Sequence, residues 1–180
     1  TGAIPEDEVL YQSNANVVAI VIGHGHLDHV GAIPKLAGAY DCPIYCTPYT
    51  KRIVERMIED DRKNIDNPII EVEKDDEVEL TDSMTLEFAH VNHSIPGSTL
   101  SLVDTPEGYV VYGNDMKIDR SPVIEETTDI KRLKEVGREG VKLMIPGTTR
   151  VDDDGRARSE ESVKVELADV LNSCYEAGGA

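Results

Sequence analysis

Six apolar residues, Val17-Val18-Ala19-Ile20-Val21-Ile22, run without a break into Gly23 and then into His24-Gly25-His26-Leu27-Asp28-His29. A continuous β-branched run of this kind predicts a strand buried on both faces. Gly23 ends it and Gly25 permits a tight backbone path. The histidines are therefore expected at the strand's C-terminal end, where open α/β sheets carry their ligand sites. Three imidazoles and a carboxylate in so short a stretch suit a borderline-soft divalent ion such as Zn²⁺. One turn cannot aim all four groups at one ion, so a pair of ions is the natural reading. Two ions about 3.5–4 Å apart clamp the attacking and leaving oxygens of a hydrolytic displacement. A loop merely rich in histidine does not explain why three of the chain's five histidines fall in this window.

Two later loops carry residues suited to completing such a centre. His93 comes just past an alternating run of Met84, Leu86, Phe88 and His90, in the loop His93-Ser94-Ile95-Pro96. His90 lies inside that run and reads as structural. Asp115 follows Gly113-Asn114, after an expected hairpin of Leu100 to Val103 and Tyr109 to Tyr112. Aspartate in such a loop commonly makes an Asx-turn, so residue type alone does not make it a ligand.

His24 to His29, followed by Val30-Gly31-Ala32-Ile33-Pro34, resembles the signature loop of the metallo-β-lactamase superfamily. His93-Ser94-Ile95-Pro96 and Gly113-Asn114-Asp115-Met116-Lys117-Ile118-Asp119 resemble the third and fourth metal motifs of the ribonuclease J group of β-CASP RNA-processing nucleases. Motif order is kept from about Val17 to Glu161, and Ser-Ile-Pro after His93 is the most discriminating feature. The resemblance implies an α/β (α+β) fold, the four-layer αββα sandwich, and a dizinc ribonuclease in which a metal-bound hydroxide attacks an RNA phosphodiester. It implies that His24, His26 and His93 hold one ion, Asp28 and His29 the other, and Asp115 both. Asp28 and Asp115 are thus the candidate catalytic carboxylates, and Mn²⁺ is an alternative to zinc. The chain departs from the family pattern at Asn114, where Gly-Asp directly is commoner, and at Gly147, which holds the place of an acidic residue. A further late histidine, the first strands and the inserted β-CASP domain find no counterpart. Residues 1–180 are therefore expected to be part of one domain rather than all of it.

Charge cuts across that reading. With 35 acidic against 18 basic residues the net charge is −17, and such a surface repels a polyanion. This favours another hydrolase of the superfamily, acting on a thioester, lactam or small phosphodiester, whereas Ser94-Ile95-Pro96 opposes it. The missing histidine and Gly147 favour a catalytically silent fragment. Two considerations reconcile the acidity with RNA as partner. Bound metals put positive charge where a phosphate must sit. A salt-adapted source also favours acidic surfaces, since at ~1 M salt the screening length falls to about 3 Å. An apolar fraction of 39% supports a real core. No run approaches the ~20 apolar residues of a membrane helix, so no membrane partner is expected. The cytoplasm is the default compartment, and homo-oligomerisation is left open.

The remaining elements read locally. Thr1 to Asn16 are a lead-in loop, and Val30 to Leu36 start a helix. Cys42 and Cys46 flank a short buried strand and, with Cys174, read as buried apolar thiols. Thr47-Pro48 predicts an N-cap and first helical residue, with Ile53, Val54, Met57 and Ile58 inward. Ile69 to Val72 and Val78 to Leu80 predict a hairpin about Lys74-Asp75-Asp76. Asp129 caps a helix that ends at Gly137 or Gly140, Val141 to Ile145 form a strand, and Asp152 to Asp154 are a loop acid run. Ser159 caps a last helix with an apolar stripe of Val163, Leu167, Val170, Leu171 and Cys174.

Overall fold

The computed structural model describes residues 8–13, 15–62, 64–74, 76–149 and 151–179. In chain order these form α1 (Glu8–Gln12), β1 (Ile20–Ile22), α2 (Leu27–Val30), α3 (Ile33–Leu36), β2 (Ile44–Cys46), α4 (Pro48–Asp60) and β3 (Ile69–Glu71). There follow β4 (Glu77–Thr81), β5 (Met84–His90), β6 (Thr99–Asp104), β7 (Tyr109–Gly113), α5 (Ile130–Glu139), β8 (Val141–Pro146) and α6 (Glu160–Glu176). The strands make a three-stranded parallel sheet in the order β1-β2-β3 and a five-stranded sheet in the order β4-β5-β6-β7-β8.

Strand alternation sorts side chains into three cores, and those cores define four layers. Ile44 and Cys46 of β2 face outward with Ile22, meeting Val30, Ile33 and Val54 of α2, α3 and α4. Tyr45, between them, faces the other way and packs with Leu86 and Phe88 of β5, joining the two sheets. Ala89 of β5, Leu100 and Leu102 of β6 and Val111 of β7 turn to the far side and meet Val136 of α5. The period of two thus places helix, sheet, sheet and helix in sequence. This is the αββα sandwich expected from the sequence. Arg132 fastens the last layer, its Nε donating to Glu87 Oε1 at 2.7 Å and its Nη2 to Glu87 Oε2 at 2.8 Å.

Several local expectations are corrected. The lead-in loop is interrupted by α1, and its first seven residues, like Asp75 in the expected turn, lie outside the described residues. The strand from Val17 narrows to Ile20–Ile22 and only Ile22 is buried, because β1 is a sheet edge with one partner. Val30 to Leu36 belong to two short helices rather than one. The expected hairpin does not form: β3 pairs in parallel with β2, while β4 pairs with β5 in the other sheet. The chain between them is the crossing from one sheet to the other. Thr47 has the extended backbone of an N-cap, but its hydroxyl donates to the Gly97 carbonyl at 2.9 Å instead of capping α4.

Cys42 and Cys46 are buried as expected, and burial pushes the Cys46 thiol up to about 12, which leaves it unreactive. Cys174 is exposed, which overturns the reading of it as a buried thiol. So is the stripe beside it, with Leu167 56% and Leu171 60% exposed. The caps of α5 and α6 form as read: Asp129 accepts from the Arg132 amide at 2.9 Å and Ser159 from the Ser162 amide at 3.2 Å. Gly140, with φ of 119°, ends α5. No helix among the described residues is long and apolar enough to cross a membrane.

The net charge of −17 spread over this fold carries its own expected result. Raising KCl from millimolar to molar should raise the melting temperature by screening acidic self-repulsion. A melting temperature that stays flat or falls in calorimetry would remove the salt-adapted reading.

Candidate metal centre

β1 delivers the histidine loop as the sequence predicts, at the C-terminal end of a parallel strand. His26 stands at the N-cap of α2, and Asp28 and His29 lie within that four-residue helix. Across the sandwich, His93 follows β5 and Asp115 follows β7, so each ligand motif lies at a strand end on one rim of the two sheets.

Five of the six residues converge. His24, His26 and His93 form one group of ligand atoms within 4.8 Å of each other, and His24, His29 and Asp115 form another. His93 Nε2 lies 3.0 Å from His26 Nδ1, and the His24 and His29 rings are 4.1 Å apart, centroid to centroid. Asp115 Oδ2 sits between the groups, 3.6 Å from His29 Nε2 and 3.8 Å from His93 Nε2. Asp28 stands apart. Its side chain is 77% exposed, it belongs to neither group, and its Oδ2 is 3.5 Å from His29 Nε2.

His24 tests whether a metal fits. It is wholly buried, yet neither Nδ1 nor Nε2 has a hydrogen-bond partner. An orphaned buried polar atom costs about 1–3 kcal/mol, and a ring with two such atoms calls for a ligand. Burial, then the charges of His29, His93 and His26, lower its pKa to about 4. Burial and His26 likewise lower that of His93, against a raising effect from Asp115. Histidine nitrogens at ligand-to-ligand spacing around a carboxylate, with both nitrogens of His24 buried and unpartnered, are what a divalent ion requires.

Residues without chemistry of their own hold these loops. Asn92, just before His93, is 3% exposed and pairs with Lys117, whose amide donates to the Asn92 carbonyl at 2.8 Å. Thr128 completes the staple: its hydroxyl accepts from the Asn92 amide at 2.9 Å and donates to the Lys117 carbonyl at 2.8 Å. Asn114, just before Asp115, is also buried, and its Nδ2 donates to the Thr99 carbonyl at 3.1 Å. The Thr99 amide in turn donates to the Gly23 carbonyl at 2.9 Å. The His24 loop, the start of β6 and the Asp115 loop are therefore locked at one point. His90 is structural, its Nε2 lying 3.0 Å from the Glu126 carbonyl. Periodicity and spacing do not disclose the roles of Asn92 and Thr128, and Asn114 shows only as a departure from the family pattern; Asn92 and Asn114 each immediately precede a candidate ligand.

Comparison with known proteins agrees with this geometry. Residues 5–166 match the family model described as the beta-lactamase superfamily domain. The chain is 45% identical over 160 residues to ribonuclease J of Methanocaldococcus jannaschii, covering 88% of this chain and 36% of that protein. It is 44% identical over 170 residues to ribonuclease J of Pyrococcus abyssi, covering 93% and 37%. The chain thus spans little more than a third of the length of either relative. Among solved structures, a metallo-β-lactamase mutant of Cronobacter sakazakii superposes with a TM-score of 0.54 at 15% identity, covering 79% of this chain and 62% of that one. A metallo hydrolase of Ignicoccus hospitalis gives a TM-score of 0.50 at 12% identity, covering 76% and 65%. At those identities the likeness is one of fold. The histidine-rich rim and the fold together suggest a divalent metal, and the family match over residues 5–166 places the chain in the beta-lactamase superfamily.

Proposed function

We propose that this chain carries the metal centre of a zinc-dependent ribonuclease that hydrolyses RNA phosphodiester bonds. The observation that carries the reading is the pair of ligand groups meeting at buried, unpartnered His24, with Asp115 between them. The 44–45% identity to two archaeal ribonucleases J supports RNA as substrate. In this reading His24, His26 and His93 hold one ion and His29 the other, with Asp115 placed between the two. One imidazole serves one ion, so assigning His24 to the first leaves the second short. Asp28, the carboxylate beside His29, is then its remaining candidate ligand, and needs only a side-chain rotation from solvent.

When bound, the ions would polarise a phosphoryl oxygen and lower the pKa of a coordinated water to about 7. The chain's own contribution is to favour the neutral forms of His24 and His93 by burial and to hold the loops through the Asn92–Lys117 and Asn114–Thr99 contacts. Asp115 also places one carboxylate oxygen between His29 and His93, where it can accept a proton or ligate.

The exposed position of Asp28 favours a weaker second site and hence low turnover by these residues alone. The test compares the 180-residue chain with a version extended to the relatives' full length, on 5′-monophosphorylated RNA with zinc or manganese at high salt. The extended version is expected to cleave RNA and the shorter one to cleave it poorly. Asp115→Asn in the extended version should lower turnover at least a hundredfold, since even outer-shell partners of a metal site cost about 10–100-fold. Cleavage that survives Asp115→Asn unchanged would refute the proposal. Equal turnover by the two lengths would show that the residues present suffice.

A further inference from the structure

We infer that a groove leading away from the metal centre to Arg120 and Arg156 holds backbone phosphates of the RNA strand beside the scissile linkage, an inference that rests on the ribonuclease reading. Two adjoining cavities make the groove. One, of about 610 Å³, begins at His93 and Asp115. The other, of about 640 Å³, ends at Arg120 and Ser121. Lys117, Arg156, Ala157 and Arg158 line both, so the two cavities adjoin along one stretch of surface.

The charge in this groove is unlike that of the chain as a whole. The chain has 18 basic residues against 35 acidic, whereas these two cavities are lined by four of each, the acidic ones being Asp115, Asp119, Asp153 and Asp154. Two of the four basic residues are already committed. Lys117 Nζ lies 2.8 Å from Glu160 Oε1 and 3.5 Å from Asp119 Oδ2, and Arg158 pairs with Glu166. Arg120 and Arg156 are exposed and form no ion pair or hydrogen bond among the described residues. A guanidinium with five free donors beside a cavity is suited to bidentate recognition of a phosphate.

The acid run sharpens the placement. Asp153 and Asp154 line the cavity at the metal end, where they oppose any phosphate that a cation does not offset. Neither lines the cavity that ends at Arg120. A strand whose scissile phosphate sits at the metal centre therefore has its next favourable phosphate positions further along, at Arg156 and then Arg120. A net charge of −17 would otherwise leave an RNA strand without anchorage on this rim. The groove supplies that anchorage locally.

The test measures binding of a non-cleavable 2′-O-methyl RNA 12-mer to the zinc-loaded protein across a range of NaCl concentrations. Arg120→Gln/Arg156→Gln is compared with wild type and with Arg52→Gln/Arg138→Gln, which removes the same charge from exposed positions on α4 and α5. Each phosphate contact on a single strand contributes about 0.7 to the slope of log K against log salt. The groove variant is expected to lose about 1.4 from that slope and to bind roughly tenfold more weakly at low salt, with zinc content unchanged. The control pair should stay close to wild type. Binding by the groove variant equal to wild type, or equal losses in both pairs, would overturn the groove while leaving the ribonuclease reading intact. Failure of the wild-type protein to bind the RNA at all would likewise overturn the groove, and cleavage by the extended version tests the ribonuclease reading separately.

Discussion

Zinc loading is expected to raise the melting temperature of this chain substantially, and His93→Ala to abolish part of that rise. Metal bound only by the folded state stabilises it by about 2.7 kcal/mol per site when free metal exceeds the dissociation constant a hundredfold. For a chain of this size that is roughly 5–11 °C per occupied site. The metal-free chain holds His24 buried with both nitrogens unpartnered, so the gain includes satisfying a group that is costly when alone. His93 completes the group with His24 and His26, and its loss should remove close to one equivalent of zinc by elemental analysis and weaken that site more than tenfold.

The pH dependence has a defined sign. His24 has its folded pKa lowered from 6.5 to about 4, so its contribution to the metal-free fold is complete above 6.5 and is lost as pH falls toward 4. Zinc affinity of the folded chain should fall as pH drops toward 4, because His24 must be deprotonated to ligate. Folded protein that retains no zinc after loading and washing at pH 7.5 would show the ligand assignment to be wrong. So would His93→Ala binding zinc like wild type.

The sequence announced this centre because the relevant signals are local. His24 to His29 are contiguous, and His93 and Asp115 each follow a strand whose alternation or hairpin could be read directly. Caps at Asp129 and Ser159 and the inward face of α4 are also matters of a few residues, and they formed as expected. Pairing across sheets is not local. Ile69–Glu71 and Glu77–Thr81 lie close in sequence, like the arms of a hairpin, yet β3 is claimed by β2 and β4 by β5, partners that periodicity does not name. An apolar stripe does not guarantee a partner: Leu167, Leu171 and Cys174 of α6 stay exposed, while the helix's first turn is tied down where the Glu160 amide donates to Asp119 Oδ2 at 2.7 Å. Spacing puts Asp28 in the motif, and the short helix α2 leaves its carboxylate facing solvent, 3.5 Å from His29 Nε2.

The tie made by Asn114 is not legible in the sequence, and Gly23→Ala shows how much rests on it. This substitution is expected to destabilise the fold by about 3 kcal/mol, at the upper end for overpacking. A Cβ at Gly23 would lie 1.7 Å from Asn114 Nδ2, 2.5 Å from its Cγ and 2.8 Å from the Thr99 carbonyl oxygen. The obstacle is not the free end of a surface side chain. Asn114 is 5% exposed and held by its bond to Thr99, so relief requires moving either the histidine loop or the loop that carries Asp115. Gly23→Ala should therefore weaken zinc binding as well as lower the melting temperature, although residue 23 touches no ion. Asn114→Ala alone forfeits one buried hydrogen bond, a loss of about 1–2 kcal/mol. It also removes the two closest of the three atoms that crowd a methyl group at position 23, leaving the Thr99 carbonyl oxygen at 2.8 Å. The double variant should consequently be more stable than the sum of the single losses predicts, with a coupling of about 1–3 kcal/mol. Denaturant melts of the four proteins in the cycle measure this directly. Strict additivity, or a Gly23→Ala protein that melts with wild type, would show that Asn114 does not join the two halves of the centre. The expected coupling would establish that Asn114 packs against residue 23 and so joins the loop before His24 to the loop that carries Asp115.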